Sequence, residues 1–174
     1  MPLITDFSLR LLATLTATKD LGNTPSSPLD VSQRIKLASG TAAGQADRLF
    51  YDERQLAASA TEDLDLVGSL VDDFGAVFSP ARIKMLWIKA ASLTLPANTN
   101  NVIVGAAAAT QWAALLGTTG TVTLRPGAQF LAAAGDADAT GYVCAAGATD
   151  LLKIANSGAG SVVNYQIVVI GCSA

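Results

Sequence analysis

The chain has 174 residues, with 14 acidic and 11 basic side chains, a formal charge of −3 and no histidine. At 51% hydrophobic and 14% charged, it lies outside the weakly hydrophobic, highly charged range of disordered chains. Its mild acidity argues against nucleic acid as a partner, and the lack of histidine excludes Ser-His-Asp and Cys-His nucleophile systems and His-bearing zinc sites. The length suits one domain, or one domain with an arm.

Phe7, Leu9, Leu11, Ala13 and Leu15 recur with period two over residues 7–16, which predicts a strand. Residues 20–28 hold Gly22, Pro25 and Pro28 and read as an extended surface connection. Residues 1–30 are therefore expected to be an N-terminal strand or arm with its linker, and residues 31–174 the domain proper. The alternative is that the same pattern marks the first strand and loop of one sheet. Residues 31–37 alternate again, and Ser39–Gly44 read as a flexible turn. Residues 46–57 read as a strand with polar ends. Residues 61–67 place Leu64 and Leu66 on one side, with Glu62, Asp63 and Asp65 around them. Asp72, Asp73, Phe74 and Gly75 form a turn; their resemblance to the kinase metal-binding tripeptide lacks the accompanying glycine-rich and catalytic loops. Over residues 82–90, Ile83, Met85 and Trp87 are expected to face one way, and Arg82, Lys84, Leu86 and Ile88 the other.

The second half is a series of short strands with turn punctuation. Residues 101–105 form one, residues 111–116 suit a short helix or a strand, and residues 121–125 form another. Pro126 and Gly127 signal a type II turn, from which residues 129–132 are expected to return as a strand. Further strands are expected at 141–145, 150–154 and 162–170, with a Gly-rich turn at 156–160. Strands spaced about 8–12 residues apart with Gly-rich turns indicate an all-β, antiparallel β-sandwich, jelly-roll or Greek-key-like. No long amphipathic helix separates the strands, which argues against a parallel α/β sheet.

Charge is uneven. Residues 90–174 hold only Arg125, Lys153, Asp136, Asp138 and Asp150. A free monomer normally carries more surface charge than this, and charge depletion marks the core of protein interfaces. A compact β-domain with a Thr/Asn/Ser surface would look the same. No apolar run reaches the ~18 residues of a membrane span. No basic region leads into a long apolar core near the start, so no signal peptide is expected.

The candidate chemistry is sparse. Asp63 and Asp65 are two apart in a strand and share a face, suiting a cation or an acid/base pair; a solvated strand edge gives the same pattern. Asp136 and Asp138 alternate in a loop, as weak calcium ligands do, but without the downstream Glu of an EF-hand. Arg48, Asp52, Glu53 and Arg54 read as a mixed-sign patch. Trp87, Trp112 and Tyr142 suit either a sugar-stacking platform or the core. Cys144 and Cys172 match no redox or zinc spacing and read as buried, reduced thiols. No catalytic, cofactor-binding or metal-binding residue is assigned, and the chain is expected not to be an enzyme.

Several segments carry a resemblance: residues 46–54, 56–66, 68–75 and 82–84, then 125–127, 150–158 and 168–171. Their order over residues 40–172 resembles a group of small virion proteins of tailed bacteriophages. The resemblance implies a particle-associated structural protein, decorating or cementing the capsid as a homo-oligomer. Its partners would be other copies of itself and the major capsid protein or other virion proteins, with no nucleic acid and no membrane. It would reside in the virion, assembled in the reducing host cytoplasm, which suits reduced cysteines. A tail or head-fibre component binding a receptor or carbohydrate is the alternative. The resemblance carries over no functional residue and no cofactor.

Overall fold

A computed structural model describes residues 2–19 and 22–174. The protein is all-β, with twelve strands and one four-residue helix among the described residues. In chain order the strands are β1 (Thr5–Thr16), β2 (Ser26–Ser39), β3 (Gln45–Ala46), β4 (Arg48–Leu56), β5 (Thr61–Asp65), β6 (Arg82–Lys89), β7 (Val102–Gly105), β8 (Thr121–Leu124), β9 (Gln129–Ala133), β10 (Tyr142–Val143), β11 (Leu151–Asn156) and β12 (Val163–Cys172). The helix α1 (Ala113–Leu116) lies between β7 and β8.

Two antiparallel sheets form a sandwich. One has the order β10-β6-β12-β4, with β9 also paired to β6; the other runs β5-β11-β7-β8. Strand alternation supplies the core between them. Val163, Tyr165, Ile167 and Val169 of β12 point inward, two residues apart as a pleated strand requires. They meet Leu152 and Ile154 of β11, Val102 and Val104 of β7, and Leu64 of β5. The antiparallel sandwich expected from the spacing of the strands is the fold observed.

The expected facing of β6 is corrected by a β-bulge. Ile170 pairs with Met85, but Gly171 pairs with Ile83, so β6 carries Lys84 as an extra residue. An inserted residue shifts the phase of alternation by one. Ile83 therefore joins Leu86 and Ile88 in the sandwich core, while Met85 faces outward. Lys84, at the bulge, is almost fully buried, and its Nζ donates to Asp138 O at 2.7 Å. Gly171 is opposite the irregularity because nothing larger fits: a β-carbon there would lie 2.5 Å from Arg82 O and 2.8 Å from Pro80 Cβ.

The turn at Pro126 and Gly127 forms as expected, with Ala128 N donating to Arg125 O at 2.8 Å and Gly127 at φ 79°. Its two strands do not form a hairpin, however. β8 pairs with β7 in one sheet and β9 with β6 in the other, so this turn carries the chain across the sandwich.

The connection expected over residues 20–28 is also corrected. β2 begins at Ser26 and runs past residue 30 to Ser39, with Pro28 opposite Thr14. Ala17 N donates to Pro25 O, and alternation then makes Thr14–Pro28 a pair that exchanges no ladder hydrogen bonds. The proline nitrogen points away from β1, where its missing N–H costs nothing. Asp20 and Leu21 lie outside the described residues.

Candidate interaction surface

β1 and β2 pair antiparallel over their whole length, from Thr5–Leu37 at one end to Thr16–Ser26 at the other. Period two gives this ribbon two unlike faces. One carries Phe7, Leu9, Leu11, Ala13 and Leu15, opposite Ile35, Gln33, Val31, Leu29 and Ser27. The other carries Asp6, Arg10, Asp30, Arg34 and Lys36. There Arg10 meets Asp30 at 2.7 Å, and Arg34 grips both carboxylate oxygens of Asp6, with Nε 2.7 Å from Oδ1. The hydrogen bonds from Arg34 and Arg10 hold the Asp6 and Asp30 carboxyls below the usual carboxylate range. Such solvent-exposed pairs are screened by water and add little to stability.

The ribbon is anchored at one end only. Phe7, Ile35 and Leu37 join Met85, Ile170, Ala46 and Leu49 in a second, smaller apolar cluster on the outer face of the β4-β12-β6 sheet. Beyond that base, residues 8–16 and 26–34 are all exposed. Leu11 is 55% and Leu15 76% exposed, so the apolar stripe has no cover among the described residues.

The outer face of the same sheet continues past the ribbon base as a groove of about 370 Å³, lined among others by Tyr51, Trp87, Leu93, Gln166 and Val168. Its polar groups are fixed from behind. Tyr51 donates its hydroxyl to Asp73, and Trp87 Nε1 donates to Gln129 Oε1 at 3.1 Å. Glu53 accepts from the Ser92 hydroxyl and from Leu93 N at 2.9 Å, and those bonds hold its carboxyl below the usual range. Phe74, in the turn that also supplies Asp73, is 76% exposed. The floor is thus aromatic and aliphatic, and the rim acidic.

A separate polar cluster bridges the sheets at one edge. Tyr165 donates to Glu62 Oε1 at 2.6 Å, while Arg54 donates to Glu62 Oε2 and Asp52 Oδ2, both at 2.9 Å. Burial, followed by the bond to Glu62, pushes the Tyr165 phenol well above its ordinary value, so it stays a proton donor. Both Glu62 oxygens are committed, and the cluster acts as a tie between β4-β12 and β5. Glu62 and Tyr165 are 103 residues apart, which is why nothing in the sequence pairs them.

The residues singled out in the sequence are dispersed. Asp63 is exposed, and Asp65 Oδ1 accepts from Val67 N at 2.9 Å, beside buried Leu64 and Leu66. Asp138 Oδ1 accepts from the backbone N–H groups of Thr140 and Gly141, which hold its carboxyl below the usual range. That side chain closes its own loop. The Arg48, Asp52, Glu53 and Arg54 group is divided by alternation: Arg54 and Asp52 belong to the Glu62 tie, Glu53 to the outer groove, and Arg48 contacts Asp47. Trp112 is buried and meets Tyr142 edge-on at 6.3 Å on the core side, whereas Trp87 lies on the outer face of the sheet that contains β10 and β6; the three form no common platform. Cys144 and Cys172 are buried and not joined. Among the described residues no group of three or more His, Cys, Asp or Glu is placed to hold a metal, and no helix is long and apolar enough to cross a membrane.

Comparison with protein-family models, curated proteins and solved structures finds no match.

Proposed function

We propose that the protein is a non-catalytic structural component of a tailed-bacteriophage particle, decorating or cementing the capsid as a homo-oligomer. The observation that carries an assembly role is the ribbon: nine consecutive exposed residues on each strand, bearing an uncovered leucine stripe. Monomeric proteins rarely keep such a patch open, and contiguous exposed apolar surface marks interaction sites. A low-charge second half agrees with contact surfaces elsewhere on the molecule. The phage setting rests on the resemblance of the segments between residues 40 and 172. Quantitative mass spectrometry and imaging of purified particles test this reading. A copy number and position matching the capsid lattice support it; absence from particles refutes it.

The aromatic groove beside Tyr51 and Trp87 favours a second reading, a tail or head-fibre module that binds a receptor or carbohydrate. Aromatic rings on a solvent-facing sheet are suited to stacking on ligands. Saturable glycan binding lost in Trp87→Ala, with a copy number matching the tail, would select it.

A further inference from the structure

We infer that the ribbon of one copy docks on the outer face of the β4-β12-β6 sheet of a second copy, its leucine stripe over the Tyr51–Trp87–Val168 groove. This rests on the assembly reading above and adds which surfaces meet.

Three observations lead there. The first is size. The ribbon beyond its base extends nine residues on each strand, about 30 Å at the rise of a strand. Alternation puts eight of those residues on the stripe face, from Leu9, Leu11, Ala13 and Leu15 to their partners Gln33, Val31, Leu29 and Ser27. That is about a third of the roughly 20–30 residues a side of a standard interface, so the ribbon serves as one limb of a larger contact. A two-stranded ribbon without further packing is marginal in water, and cover along its length removes that weakness.

The second is the docking mode, which the chain already displays on itself. At the base, Phe7 and Ile35 lie on Met85, Ile170 and Leu49 of the sheet's outer face. Leu9, Leu11 and Leu15 continue the same ribbon face, and Val168, Trp87 and Tyr51 continue the same sheet face. Each surface extends the chemistry of its half of an existing contact.

The third is accounting of partners. The uncovered stripe and the uncovered groove belong to one chain. A second copy covers both kinds of surface in the assembly, whereas an unrelated partner on the ribbon leaves the groove open. Contact between two different surfaces is head-to-tail, and such contacts close into rings or run on as open chains.

The test uses the full chain. Sedimentation velocity over rising concentration should show an oligomer for the wild type and its loss in Leu11→Asp/Leu15→Asp, with circular dichroism unchanged because both side chains are exposed. Leu11→Cys and Tyr51→Cys proteins, one carrying a mass tag, are then mixed and treated with a short bis-maleimide; wild type, with its cysteines buried, is the control. The expected product is the mixed covalent dimer. A Leu11→Cys dimer formed instead means that ribbons pair with ribbons, and an oligomer without the mixed product means another acceptor; either overturns the inference. So does a wild type that stays monomeric up to its solubility limit. If that monomer is still found in particles, the structural role stands and only the ribbon-to-sheet contact falls.

Discussion

Truncating Leu37 should release the ribbon without unfolding the sandwich. Leu37 is 2% exposed and lies at the anchored end, opposite Thr5, within the cluster that includes Met85 and Ile170. Removing a buried leucine side chain costs about 2–5 kcal/mol. The projecting residues contribute little to offset it: their ion pairs are exposed, and fixing each residue's backbone costs roughly 1–2 kcal/mol. The loss therefore falls on the local equilibrium between docked and frayed ribbon. At 1.4 kcal/mol per tenfold, Leu37→Ala should speed amide exchange across residues 5–16 and 26–36 by at least about thirtyfold. Amides of β12, which open only with the whole domain, should keep most of their protection. The measurement is hydrogen exchange in the Leu11→Asp/Leu15→Asp background, so that assembly does not mask the ribbon. Equal acceleration in β12 and the ribbon would show one cooperative unit and refute the reasoning, as would an unchanged ribbon.

Tyr165→Phe leaves Glu62 Oε1 without its buried donor and should cost about 1–3 kcal/mol in urea unfolding; a change within error means the tie between sheets is not energetic. Asp6, Asp30, Glu53 and Asp138 all titrate below their ordinary values when folded. Their contribution is thus present above the unfolded values near about 4 and lost as pH falls through the lower folded ones. With no histidine to titrate, melting temperature should be flat between about pH 5 and 8 and fall below about 4; a slope near neutrality contradicts this. Burial, reinforced by Asp150 and Asp65, pushes the Cys144 thiol up to about 12, and Cys172 is fully buried. A thiol reagent at pH 8 should find neither in the native protein and both after unfolding without reductant; finding no thiol there would mean a disulfide.

The legible parts of the fold were those written in local periodicity. Phe7 to Leu15 announce β1, Val163 to Val169 announce β12, and the Pro126–Gly127 turn forms where its residue types demand it. What escaped depended on long-range pairing. The Pro25 and Pro28 signals are genuine, but Pro25 precedes β2 and the Pro28 nitrogen points away from β1, where an absent N–H is harmless. The bulge at Lys84 reverses the face of Ile83, and alternation alone contains no sign of it. β8 and β9 part company after a correct turn because their hydrogen-bond partners lie in different sheets. For the candidate surface, the stripe on β1 was readable as a strand needing burial. Its exposure, and the Tyr51–Trp87 groove, emerge only when β4, β6 and β12 are assembled.

The place of β12 in its sheet governs how the domain is reached in time. It lies between β4 and β6 and pairs with both, yet a ribosome makes it long after either. Until it emerges, β4 and β6 have no central strand to join, and the apolar faces of Phe50, Leu86 and Ile88 have half their cover missing. Closure then requires contacts across about a hundred residues of chain, which places the protein among slow folders, milliseconds to seconds rather than microseconds. During that interval the nascent chain displays unpaired strand edges, the condition under which β-rich chains aggregate. Aligned with this, the second half of the chain is punctuated by glycine and nearly free of charge, so solubility before closure depends on the acidic first half.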